Sequence, residues 1–121
     1  MIYIVNKKNI DKSYATWKED KQYIYIGRPS VLGNPFVIGL YTRYEAIQTY
    51  KQYANDILNN KVKPYTAEQT NKLINFKKAI DLLTEKAAIG DLYLVCYCAP
   101  NICHGDVIKK IIEERLRHDK T

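Results

Sequence analysis

What this chain lacks narrows its class first. No apolar run in its 121 residues approaches the roughly 18 that a bilayer-spanning helix needs. The opening residues, MIYIVNKKNIDKSY, do not place a long apolar segment after a basic one, so they do not read as a secretory signal. Cysteines number three, an odd count, and Cys96 and Cys98 stand one residue apart. That pattern argues against a disulfide framework and suits a reducing compartment. The expectation is a cytoplasmic protein with no membrane partner. Repeats, low-complexity tracts and linker-like stretches are missing as well, and glycines and prolines number only five and four. One α/β domain spanning 1–121 is expected.

Acidic residues are outnumbered, 13 against 19 basic ones, for a net charge of +6. The excess is compatible with phosphate-bearing partners and equally with a lysine-rich solvated surface. No basic block exceeds a pair (Lys77-Lys78, Lys109-Lys110), so a duplex-binding helix is not indicated. Nucleic acid stays a less favoured partner than a small molecule. Phenylalanine and tryptophan are scarce, two and one, whereas tyrosines number eleven. Tyrosine serves sheet faces, ligand stacking and subunit contacts, so a homo-oligomer with a shared site is also compatible.

Residues 2–5 (IYIV) favour a strand. Residues 9–21 read as a loop or helical turn around Trp17. Residues 23–27 alternate, with Ile24 and Ile26 on one face and Tyr23 and Tyr25 on the other. Breakers then crowd from Arg28 to Gly39. Thr42 and Glu45 have capping-box spacing. Ile47, Tyr50, Ala54, Ile57 and Leu58 follow at helical intervals as far as Asn59-Asn60. Thr66 and Gln69 repeat the box, and Leu73, Phe76, Ile80, Leu83 and Ala87 form one stripe, closed by Gly90. Residues 91–97 make a third strand. A final helix runs from about Cys103 to Arg117, with Arg115, Arg117 and His118 complementing its dipole. The order β, β, α, α, β, α predicts an α/β fold, a short, mostly parallel sheet covered by three or more helices.

Two loops concentrate the chemistry. In YIGRPSVLGNPF, residues 25–36, Gly27 ends a strand and Arg28 can fork two hydrogen bonds to a phosphate. Gly33 and Asn34 permit close approach of a ligand, and the Asn34 amide suits a base or sugar edge. In CYCAPNICHGD, residues 96–106, Cys96 points with Leu92 and Leu94 toward the core, while Cys98 can reach a pocket. Cys103 and His104 fall at a helix start. There the dipole is expected to lower the thiol pKa, and free backbone N–H groups to receive an anion. Gly105 allows close approach. Asp106 can cap the turn or orient His104.

Three readings follow. Cys96, Cys98, Cys103 and His104 match a tetrahedral zinc set in number, but their C-x-C-x₄-C-H spacing is unlike the usual C-x₂-C pairs. Such a set would make a zinc-stabilised structural module. Alternatively Cys103 acts as nucleophile with His104 or Asp106 assisting, in an enzyme on nucleotides or bases. The preferred reading is a pocket for a phosphate-bearing, nucleotide-like small molecule. Arg28 and the helix N-terminus would take the anion, and Asn34 and a tyrosine the base or sugar. It calls for no cofactor and no metal.

The two loops, with Arg43 and Tyr50 between them, resemble domain-of-unknown-function family 4326. That family comprises short bacterial, archaeal and phage proteins with an I-G-R…L-G-N-P-F loop, an Arg-initiated helix bearing a Tyr, and a C-x-C-x-P…C-H-G-D ending. The matching positions are Gly27, Arg28, Leu32–Phe36, Arg43, Tyr50, Cys96, Cys98, Pro100 and Cys103–Asp106. Tyr97 stands where Trp is common, and about 59–88 form a longer link. The resemblance implies that both loops serve one site, with Arg43 at its edge as a second phosphate ligand. In a phage context it leads to one specific expectation: capture of a nucleotide-derived signal of host defence.

Overall fold

The computed structural model describes residues 1–9, 22–36, 39–98 and 101–119. The expected turn around Trp17 lies outside them. Among the described residues, three strands, β1 (Ile2–Asn6), β2 (Gln22–Tyr25) and β3 (Leu92–Cys96), accompany three helices, α1 (Arg43–Leu58), α2 (Ala67–Ile89) and α3 (His104–Asp119). A 3₁₀ turn, Lys7–Asn9, follows β1. Among the described residues the fold is α/β, and its three strands are parallel in the order β1-β3-β2. No described helix is long and apolar enough to cross a membrane.

The alternation in the sequence sets the two faces of the sheet. Ile4, Leu94 and Ile24 share one cross-strand row, and Tyr3, Tyr93 and Tyr23 share the next. Side chains of neighbouring rows point to opposite faces. Leu92 and Leu94 are fully buried in one cluster with Phe76 and Ile80 of α2 and Ile108 and Ile112 of α3. Burying each such side chain contributes about 1.5–3 kcal/mol. On the other face the tyrosine rings stack, Tyr3 on Tyr93 at 5.1 Å and Tyr23 on Tyr93 at 4.7 Å between centroids.

Helix starts follow local chemistry. The Thr42 hydroxyl accepts from Glu45 N, and the Glu45 carboxylate accepts from Thr42 N, each at 3.1 Å. That reciprocal pair closes the first turn of α1. At α2 the box is only half as expected. Thr66 Oγ1 accepts from Gln69 N, but the Gln69 carbonyl reaches one residue farther back, to Tyr65 N at 2.7 Å. Gly90 caps α2 in an extended conformation, φ 176°, rather than a left-handed one.

Parallel strands place all their C-terminal ends at one edge of the sheet. Lys7 follows β1, Ile26 to Arg28 follow β2, and Tyr97 and Cys98 follow β3. That edge is where open parallel sheets hold their ligands.

Candidate functional site

The chain leaving β2 stays bonded to the sheet for one more residue, with Ile26 N donating to Val95 O at 2.9 Å. It then folds into a tight loop. The Tyr25 hydroxyl donates to Arg28 O at 2.7 Å, Ser30 N to Gly27 O at 2.9 Å, and Gly33 N to Ser30 O at 2.9 Å. The Arg28–Pro29 peptide is cis. A Cβ on Gly33 would lie 2.9 Å from Arg28 N and 3.0 Å from Arg28 Cα. This glycine therefore serves backbone-to-backbone packing beneath Arg28, and it does not line the cavity described below. Asn34 accepts from Phe36 N at 2.8 Å and donates to Ala46 O at 3.4 Å. Much of its amide thus holds the loop to itself and to α1, and less remains for a ligand than its residue type suggests.

The start of α3 is self-capped. Cys103 N donates to the Asp106 carboxylate at 2.9 Å, Gly105 N to Cys103 Sγ at 3.3 Å, and Asp106 N to Cys103 O at 3.0 Å. Cysteine replaces the usual Ser or Thr in this capping arrangement. Three of the amides expected to receive an anion are therefore occupied, and a carboxylate already stands among them. Asp106 is bound into the cap rather than into the cavity. A Cβ on Gly105 would meet Ile26 Cδ1 at 3.0 Å and Ile4 Cγ2 at 3.4 Å. Its close approach is thus to the sheet, not to a ligand.

Cys103 is 3% exposed and its Sγ lies 3.6 Å from Cys96 Sγ. The hydrogen bond with the Cys96 thiol, followed by burial, pushes the Cys103 thiol well above its ordinary range. The bond from Gly105 N opposes this without prevailing. The thiolate expected from the helix dipole is thus not favoured.

His104 is buried, and its Nε2 lies 2.7 Å from Ile26 O. The edge of its ring meets Tyr50, with centroids 5.2 Å apart. Burial, helped by the Arg28 charge, lowers its pKa below the usual histidine value. The bond to Ile26 and the charge of Asp106 pull the other way.

Between these two segments and the start of α1 lies a cavity of about 370 Å³. Seven of the ten residues expected at the site line it: Gly27, Arg28, Asn34, Arg43, Cys98, Cys103 and His104. Gly33, Gly105 and Asp106 do not. Among the described residues, two arginines and no carboxylate appear in the lining. Arg43 bonds the carbonyl of Ile102 across the cavity at 3.4 Å.

Sequence reasoning did not assign Tyr25, Phe36, Ala46, Ile47, Cys96, Tyr97 or Ile102 to the lining. Tyr25 ends β2, Tyr97 follows the neighbouring β3, and their rings meet edge to face at 6.1 Å. Lys7 Nζ sits 5.2 Å and 5.7 Å from their ring centroids, within cation–π range. The available signal was positional: in parallel strands, residues just past each end become neighbours. Among the described residues, no three His, Cys, Asp or Glu side chains form a group able to hold a metal ion.

A family described as Domain of unknown function (DUF4326) matches residues 9–114. The chain belongs to DUF4326. Searches of curated proteins and of solved structures found no match. The DUF4326 span contains every described residue that lines the cavity. Lys7 lies just before it.

Proposed function

We propose that the cavity binds a phosphate-bearing, nucleotide-like small molecule. One observation carries this reading: Arg28 and Arg43 open onto a cavity that, among the described residues, no carboxylate lines. Such a site attracts anions, and guanidinium groups match phosphate geometry. Its volume of about 370 Å³ falls within the usual span of small-molecule pockets, roughly 300–1,000 Å³. Tyr25 and Tyr97 supply aromatic rings for a base, and Lys7, which sits over both, adds positive charge beside them. The raised thiol of Cys103 favours holding the ligand over converting it. Capture of a nucleotide-derived defence signal is the specific form this function would take.

The test is calorimetry with adenosine monophosphate, ADP-ribose and a cyclic dinucleotide, followed by heat release and mass spectrometry. Arg28→Ala and Arg43→Ala should each weaken binding by roughly tenfold or more, the worth of a hydrogen bond to a charged group. Recovery of unaltered ligand supports capture, and recovery of altered product alone supports the enzyme reading. Binding indifferent to both arginines, or no binding of any phosphate-bearing compound, overturns the proposal.

A further inference from the structure

A histidine beside two arginines at a helix start suggests a third cation for phosphate. The geometry assigns it another task. Ile26 O is a backbone carbonyl and can only accept a hydrogen bond. At 2.7 Å from it, His104 Nε2 must carry the proton. Ile26 is fully buried, so losing this bond would strand the carbonyl, which fixes the tautomer.

Among the described residues the other ring nitrogen, Nδ1, has no hydrogen-bond partner. Nor is it sealed in, because the one fully buried, unpartnered side-chain N or O atom among the described residues is Ser30 Oγ. His104 lines the cavity, and Nδ1 is the ring nitrogen left for a ligand there, since Nε2 is taken by Ile26 O. The charged groups acting on the ring are Arg28, which disfavours a second proton, and Asp106, which favours one. Burial joins Arg28, and the ring is held neutral. Nδ1 is then a lone pair facing the ligand.

An ionised phosphate oxygen has no proton to offer that lone pair. A sugar hydroxyl or a base N–H does. We propose that His104 Nδ1 accepts a hydrogen bond from a neutral donor on the ligand, and that the phosphate lies instead on Arg28 and Arg43. This rests on the phosphate-ligand reading of the cavity and narrows it. The occupant is a phosphorylated nucleoside or sugar, not a bare phosphate or pyrophosphate. His104 is a specificity-determining residue in this scheme.

The experiment uses ¹⁵N-labelled full chain and long-range ¹H–¹⁵N spectra of the His104 ring from pH 5 to 8. Adenosine monophosphate, ADP-ribose and inorganic phosphate are the probes. The expected result is an Nε2–H ring that is neutral at pH 7, whose Nδ1 signal moves toward the hydrogen-bonded position with the two nucleotides but not with phosphate. His104→Gln, which can offer both an N–H and a carbonyl, should retain nucleotide binding. His104→Leu should lose roughly tenfold for nucleotides and nothing for phosphate. A ring protonated at pH 7, an Nδ1 signal unmoved by a bound nucleotide, or an equal response to phosphate overturns this assignment while the cavity reading stands. Failure of both nucleotides to bind removes the assignment together with the nucleotide reading beneath it.

Discussion

The hydroxyl of Tyr50 donates to Leu32 O at 2.7 Å in a fully buried setting. With the longer bond from Asn34 to Ala46 O, this bond couples α1 to the loop that carries Arg28 and Asn34. Tyr50→Phe keeps the ring against His104 but leaves the Leu32 carbonyl unpaired. The expected loss is about 1–3 kcal/mol, measured by urea unfolding with an unchanged slope. A variant as stable as the parent would show that the bond does not hold the loop.

Gly33→Ala should damage the anion site more than its small size suggests. The new methyl would face backbone atoms of Arg28, which cannot swing aside as a side-chain tip can. A cost of about 1–3 kcal/mol and displaced Arg28 geometry are expected, with weaker nucleotide binding as the readout. Gly90→Ala is the control, since its φ of 176° suits any residue and its nearest neighbour is Gln22 Nε2 at 3.6 Å. Equal effects from both substitutions would refute the packing role of Gly33.

Acid should weaken the fold through His104. Its pKa in the folded chain lies below the ordinary value of about 6.5. The unfolded chain therefore takes up a proton first as pH falls, and stability rises with pH across that interval. The histidine's contribution is complete above pH ~6.5 and is lost progressively as pH falls toward its folded pKa. Unfolding curves at pH 5 to 8, compared with His104→Gln, check this. The difference between parent and variant should shrink on acidification, and a difference constant with pH would sink the claim.

The three thiols should differ in reactivity. Cys96 and Cys103 are 1% and 3% exposed, while Cys98 is only half-buried. The raised pKa of Cys103 also suppresses its reactive thiolate. Iodoacetamide should label Cys98 first in the native chain and all three cysteines in denaturant, as read by peptide mass spectrometry. Preferential native labelling of Cys103 would contradict both its burial and its proton affinity.

Local signals made much of this architecture legible. Alternation at Tyr23–Ile26 anticipated which face carries tyrosines, and the Thr42–Glu45 spacing anticipated a complete cap. Breaker-rich loops on either side of α1 and α2 marked both walls of the cavity. What stayed hidden depended on partners distant in the chain. Cys103 reads as an activated thiol when only the helix dipole is considered, and as a protected one when Cys96 stands 3.6 Å away. Gly105 reads as ligand-facing until the sheet claims it, whereas the capping role open to Asp106 in the sequence is the one it takes. Lys7 joined Tyr25 and Tyr97 only through the β1-β3-β2 order.

The tyrosine row of Tyr3, Tyr93 and Tyr23 also has an optical consequence. Three phenol chromophores are stacked nearly parallel, with 18° between the planes at each step. Sliding one strand by a single position would send its phenol to the far side of the sheet and dismantle the array. Near-ultraviolet dichroism from these coupled rings would therefore report strand register directly, without a dye or a label.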